Sequence, residues 1–207
     1  MVESNSAVTE KGLGKRDPPI PSATSPNSDL IFDPELLNRV VETAKKYGKV
    51  NIPEHLTVRP LRIDDFDNGY LELLSQLSTV GDISRDQFRS QFRSMQVQGA
   101  YLIIALGDVV CGRVCGSVTL HLERKFLHGC GLRGRVEDVV VADTHRGQQL
   151  GKLLMEIVSA LADELQCYKV SLDCKAELVG FYAKFGYKTE TPQVLFRRPV
   201  PAENNLS

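Results

Sequence analysis

This chain lacks most of the features that would draw it to a membrane, a nucleic acid or a metal. It has 207 residues and a formal net charge of −1. A charge that close to zero gives no reason to expect nucleic acid or an anionic membrane as a partner. The basic residues are also spread out, and their clusters stay small: Lys45 with Lys46, Arg124 with Lys125, Arg197 with Arg198. No apolar run reaches the ~18 residues that a membrane-spanning helix needs. Residues 1–29 are too polar for a signal peptide. The cysteines (Cys111, Cys115, Cys130, Cys167 and Cys174) are odd in number, scattered and without a CxxC pair. That spacing argues against a disulfide framework and against zinc. No metal is expected, and the default setting is the reducing cytoplasm.

What remains is ordinary globular composition, 42% hydrophobic and 25% charged, at a length that suits one domain plus an extension. Residues 1–28 are rich in Ser, Pro, Gly and Asn and are expected to be disordered. Residues 29–50 read as an amphipathic helical extension. Asp33 is the N-cap and Pro34 the first helical residue. Leu36, Leu37, Val40, Val41 and Ala44 share one face, Lys45 and Lys46 suit the last turn, and Gly48 is a C-cap. Such a helix must dock, either on its own domain or on a partner. The domain proper is expected over residues 51–200, with a tail at 201–207.

Residues 56–61 predict a first strand. Asp64 or Asp65 caps a helix carrying Phe66, Tyr70, Leu73, Leu74 and Leu77, ended by residues 78–81. Ser84 and Gln87 form a capping box for a second helix, with Phe88, Phe92 and Met95 on one face. Residues 101–106 form a strand, Gly107 and Asp108 turn the chain, and 114–122 return with Val118, Leu120 and Leu122 alternating against Ser117, Thr119 and His121. Residues 128–134, with three glycines, form a loop. A long helix carries Leu150, Leu153, Leu154, Ile157, Val158, Leu161 and Leu165. A strand over 168–174, a helix over 177–184 stopped by Gly186, and a last strand over 194–197 complete the series. The order predicts an α/β architecture of the α+β kind: a mixed sheet with helices on its faces.

The stretch that organises the chain is 136–151, VEDVVVADTHRGQQLG. A β-branched strand, a polar turn and the start of the long helix make an anion site. The first amides of a helix lack internal partners and carry partial positive charge. Gly147 and Gly151 let the backbone come close to a ligand, and the amides from Gln148 to Lys152 are placed to meet a diphosphate. Glu137 and Asp138 are adjacent in the strand, so alternation sends them to opposite faces. One is expected to face a ligand cavity while the other is solvated or salt-bridged, which rules out a close dyad. Asp173 ends a strand and Tyr182 follows in a helix, a pairing able to orient an amine and protonate a leaving anion. Cys174 reads as a buried structural thiol, because no histidine is placed by sequence to activate it. Lys125, His128 and Arg197 together could take a phosphorylated substrate.

These residues resemble a known family. R-x-x-x-x-G from Arg146 to Gly151, after VEDVVV, is similar to the coenzyme A signature of the GNAT acetyltransferases, with Gln149 where that signature has glycine. EDVVV, RGQQLGKLL, CYKVSLDCK and FYAKFGY together resemble the eukaryotic glucosamine 6-phosphate N-acetyltransferases, over about residues 55–198. The resemblance implies the GNAT fold for 51–200. It also implies acetyl-CoA as co-substrate, glucosamine 6-phosphate as acceptor, and a homodimer whose sites lie at the interface. Val139, Val140, Val141, Gly147, Gln148, Gln149, Leu150, Gly151 and Lys152 would hold the coenzyme, with Asp173, Tyr182, Ala183 and Lys184 near its thioester. Ser78, Lys125, Phe126, Leu127, His128, Glu137, Asp138, Tyr168, Lys169 and Arg197 would bind the sugar phosphate. Tyr182 would stabilise the thiolate, and Asp173 would orient or help deprotonate the amine. Acetylation of another amine, or coenzyme binding without catalysis, are the alternatives.

Overall fold

Five strands pair in the order in which the chain makes them. In the computed structural model, which describes residues 28–190, β1 (Leu56–Pro60), β2 (Tyr101–Asp108), β3 (Val114–Arg124) and β4 (Leu132–Val141) form an antiparallel meander. β5 (Lys169–Ser171) joins β4 in parallel. A parallel partner needs a crossover, and α5 (Leu150–Glu164) supplies it. The expected mixed sheet is therefore present.

One face of the sheet packs on α5. Leu154, Ile157, Val158 and Leu161 have no solvent exposure. Gly116 of β3 is where the two layers come closest: a Cβ there would lie 3.4 Å from Leu154 and 3.0 Å from Leu106. The N-terminal helix α1 (Pro34–Lys46) lies on α5 and β1, so it docks on its own chain. Asp33 caps it, accepting the Glu35 amide at 3.0 Å, and its apolar face is buried as the spacing predicts.

The other face carries α2 (Tyr70–Ser75) and α3 (Arg85–Gln98). Ser84 and Gln87 form the expected capping box. Gln96, rather than Met95, completes the buried stripe after Phe88 and Phe92. Its amide donates to the Ser28 and Leu30 carbonyls at 2.9 and 2.7 Å, which satisfies a polar group inside. Because this face is covered too, the expected alternation in β3 fails. Ser117 and Thr119 are buried, with the Ser117 hydroxyl bonded to the Ile104 carbonyl at 3.1 Å.

Other boundaries also differ. The helix expected from Asp64 to Leu77 is split. Asp65 does not simply cap it: its carboxylate takes both Arg59 guanidinium nitrogens at 2.7 Å and the Arg62 amide at 2.8 Å, which winds residues Ile63–Phe66 into a 3-10 turn. Gly69, at φ +85°, then restarts the chain as α2. The first hairpin turns over residues 109–112, later than Gly107–Asp108, because Asp108 still pairs with Leu56. β4 starts at Leu132, inside the expected loop. Only one distorted turn, α4 (Leu127–Cys130), precedes it, with His128, Gly129 and Cys130 all at positive φ. β5 is shorter than expected, because its pairing with β4 ends at Arg135.

Residues from 174 onward form a separate unit. Its described part holds a 3-10 turn, Ala176–Leu178, and α6 (Val179–Ala183), where one helix over 177–184 was expected. Gly186, at φ +85°, stops the helix as predicted. The segment expected to be disordered lies outside the described residues, except for Ser28. The strand expected over 194–197, Arg197 and the tail at 201–207 also lie outside them.

Candidate active site

The second half of β4 is irregular on one edge and open on the other. Ser117 of β3 faces Val140 and Thr119 faces Glu137, so Asp138 and Val139 share the place opposite Val118. This is a β-bulge, and Asp138 adopts φ +52° to make it. The bulge falls at Asp138 and Val139, so regular alternation is interrupted only after Glu137. Glu137 and Asp138 lie within electrostatic reach of one another. Burial of its inner side raises the Asp138 carboxyl above the usual carboxylate range, and the charge of Glu137 raises it further. On the outer edge, β5 pairs only with Arg133, Gly134 and Arg135. From Glu137 to Val141 that edge has no strand partner among the described residues. An open strand edge takes up an extended, amide-bearing chain by main-chain hydrogen bonds.

The turn after β4 leaves backbone amides without side-chain partners. A 3-10 turn, Asp143–His145, leads to Gly147 at φ +82° and Gln149 at φ +58°. α5 then begins at Leu150 with no side chain capping it. Its first amides are left to a ligand or water. A left-handed residue explains why glycine suits position 149: only glycine adopts that φ without a steric cost. Arg146 is ion-paired with Asp143, and the Lys152 ammonium stays largely exposed.

A charged row runs down one face of β4. Arg135 donates to Glu137 at 2.7 Å and also to Asp173 at the end of the β5 segment. One guanidinium therefore joins two of the predicted site carboxylates. Arg133 bonds the Ser171 hydroxyl at 3.0 Å and lies 3.8 Å from Glu123, while its Nε is buried without a partner. Lys125 contacts Glu123 at 2.6 Å and holds that carboxyl below its usual range. The His128 ring lies 4.2 Å from that of Tyr168, and the absence of a side chain at Gly131 makes room for this pair. Phe126 and Leu127 beside them are exposed. Lys169 pairs in register with Arg133. Ser78 lies three residues past α2, its amide bonded to the Leu74 carbonyl. Sequence reading missed Arg133 and Arg135. The alternation Leu132, Arg133, Gly134, Arg135, Val136, Glu137 would have put them on one face with Glu137.

In the second unit Tyr182 is buried and stacks edge-on against Phe181 and Tyr187. Burial pushes its phenol up, with a further push from Cys174, so the hydroxyl keeps its proton at neutral pH. Ala183 ends α6, and the Lys184 amide bonds back to Phe181. Cys174 is exposed, contrary to the expectation of a buried thiol, and all five cysteines are free. Among the described residues no group of three or more His, Cys, Asp or Glu could hold a metal ion, and no helix is long and apolar enough to cross a membrane.

Comparison with known proteins completes the description. Residues 67–187 match the model of the acetyltransferase (GNAT) family. A probable glucosamine 6-phosphate N-acetyltransferase of Drosophila melanogaster is 51% identical over 164 residues, 76% of this chain and 75% of that protein. The glucosamine 6-phosphate N-acetyltransferase of Candida albicans is 39% identical over 137 residues, covering 66% and 92%. The crystal structure of the glucosamine-6-phosphate N-acetyltransferase of Arabidopsis thaliana superposes with a TM-score of 0.63 at 34% identity. It covers 70% of this chain and 99% of that one.

Proposed function

This chain belongs to the GNAT acetyltransferase family, and we propose that it transfers the acetyl group of acetyl-CoA to the amine of D-glucosamine 6-phosphate. The products are N-acetyl-D-glucosamine 6-phosphate and CoA, a step toward UDP-N-acetylglucosamine. The observation that carries the coenzyme half is the open edge of β4 running into an uncapped helix. The amides of the pantetheine arm pair with Val139, Val140 and Val141, and the diphosphate takes the amides from Gly147 to Lys152. The names of the relatives carry the acceptor half.

The acceptor lies along the charged row. Glu137, Lys125 to His128, Tyr168 and Lys169 contact the sugar phosphate, with Ser78 contributing from the segment that follows α2. Arg197 reaches the phosphate of the partner's site in a cytoplasmic homodimer. The sugar ammonium first loses a proton. Asp138, with its raised carboxyl, is the better acceptor for it, while Asp173, held by Arg135, orients the amine. The amine nitrogen attacks the thioester carbonyl directly, with a backbone amide near Val140 polarising the oxygen. The new C–N bond replaces the C–S bond, and the departing thiolate takes its proton from Tyr182. Holding both substrates together supplies much of the rate.

Incubation of the purified protein with both substrates, followed by thiol titration, tests this reading. Thiol release is expected to match N-acetylated sugar one for one, and its absence refutes the proposal. Arg197→Ala is expected to raise the KM for the sugar phosphate far more than that for acetyl-CoA; equal effects would make Arg197 structural.

A further inference from the structure

The coenzyme turn has little reason to be ordered on its own. Residues 143, 144 and 146–149 are exposed, two residues sit at positive φ, and no side chain caps the helix that follows. Its ordering must come from contacts made elsewhere. One is the Asp143 amide, which donates to the Gln76 side-chain oxygen at 2.9 Å. The stronger one is His145, whose side chain is 15% exposed in a turn otherwise open to water. Its Nδ1 lies 2.8 Å from the Thr144 hydroxyl and its Nε2 lies 3.0 Å from the Asp108 carboxylate.

Asp108 is itself fixed. It is the last residue of β2, its amide bonds the Arg113 carbonyl at 2.9 Å, and its other carboxylate oxygen accepts the Val110 amide at 2.7 Å. The His145 contact, and then the Val110 amide, hold its carboxyl down to about 2, so it is an ionised acceptor throughout the working range. A Thr144 hydroxyl donating to Nδ1 leaves Nε2–H to point at Asp108, so one imidazole tautomer suits both contacts. Neither Asp108 nor His145 belongs to the charged row of β4, and nothing in the transfer reaction uses them.

We propose that Asp108 and His145 are positioning residues for the coenzyme. They brace the turn between β4 and α5 against the β2–β3 hairpin, so that the amides ahead of α5 stay converged on the diphosphate. The proposal rests on the reading of that turn as the coenzyme site. Without the brace the turn samples other conformations, and apparent coenzyme affinity falls by the fraction of molecules that remain competent. Sugar binding, along the charged row of β4, is spared.

The test uses the full chain with three kinds of variant, steady-state kinetics on both substrates and calorimetric titration with CoA. His145→Ala is expected to raise the KM for acetyl-CoA and the Kd for CoA roughly tenfold, as if about a tenth of the molecules were competent. The KM for the sugar phosphate and kcat stay within about twofold. His145→Gln, whose amide nitrogen reaches toward Asp108, recovers most of the loss. Asp108→Asn, which keeps the cap on Val110, shifts the same constants in the same direction. The proposal is overturned if His145→Ala leaves the coenzyme constants unchanged, or moves both substrates' KM alike. Gly151→Asp separates the underlying reading. A carboxylate among the amides suits a helix start but repels a diphosphate, so CoA binding is lost. If that variant binds CoA like the wild type, the turn is not the coenzyme site, whatever His145 does.

Discussion

The two halves of β4 differ both in composition and in neighbours: Leu132 to Val136 carries two arginines and a glycine, Glu137 to Val141 two carboxylates and three valines. Leu132 to Val136 pairs with β3 on one edge and, through Arg133, Gly134 and Arg135, with β5 on the other. Among the described residues Glu137 to Val141 pairs with β3 alone, through a bulge, and carries two adjacent carboxylates. The first half is sheet core, where unpaired backbone would be costly. The second half leaves backbone donors and acceptors unmatched, and the energy that pairing would have supplied is available to a ligand instead. Stability and chemistry are thus divided along one strand.

The comparison can be broken first in the open half. Asp138→Asn is expected to lower kcat by about 10²–10⁴-fold, the usual contribution of a positioned base, with coenzyme binding intact. The pH profile follows from the direction of its shift. A raised carboxyl stays protonated at pH values where ordinary carboxylates are ionised, so kcat/KM falls on the acid side above the usual carboxylate range. The linked effect on stability has the opposite sign. Ionising Asp138 costs the folded state free energy as pH rises above its unfolded value, so the Asn variant should melt slightly higher at neutral pH and no differently in strong acid. A variant that loses both activity and melting temperature would make Asp138 structural.

On the paired side the expected loss is of stability alone. Leu120→Ala empties a fully buried position of β3 that packs on Gly134 and should cost about 2–5 kcal/mol in chemical denaturation, leaving the KM for acetyl-CoA unchanged. A change in that KM at full folding would mean that the two halves are not independent. The smallest effect is expected at the turn. Gln149→Gly removes a left-handed strain of roughly 1 kcal/mol, so melting temperature should rise or hold while coenzyme KM is kept. A lower melting temperature would show that the Gln149 side chain contributes more than its backbone costs.

Much of this was legible in the chain because local pattern and tertiary packing agree. Asp33, Pro34 and the spaced leucines and valines mark α1, and the apolar stripe from Leu150 marks α5. The misreadings have local causes. Gly69 was passed over inside a helical pattern, and it is where the chain breaks. The hairpin turn is displaced because Gly107 and Asp108 carry a turn signal yet remain in β2, paired with Thr57 and Leu56. The bulge at Asp138 has no glycine to announce it, so the register shift opposite Val118 is not visible in the sequence. Alternation along β4 puts Arg135 beside Glu137, but Asp173, beyond β5, meets Arg135 only in the fold, as Asp108 meets His145.

Hydrogen exchange on the two halves of β4, with and without CoA, tests the central claim most directly. In the free protein the segment 132–136 should be protected and 137–141 should exchange faster on its open edge. Saturating CoA should slow exchange in 137–141 and at the turn 147–152, while 132–136 stays as it was. Unchanged exchange in 137–141 at saturating CoA would contradict the division of β4 into a structural half and a coenzyme-binding half.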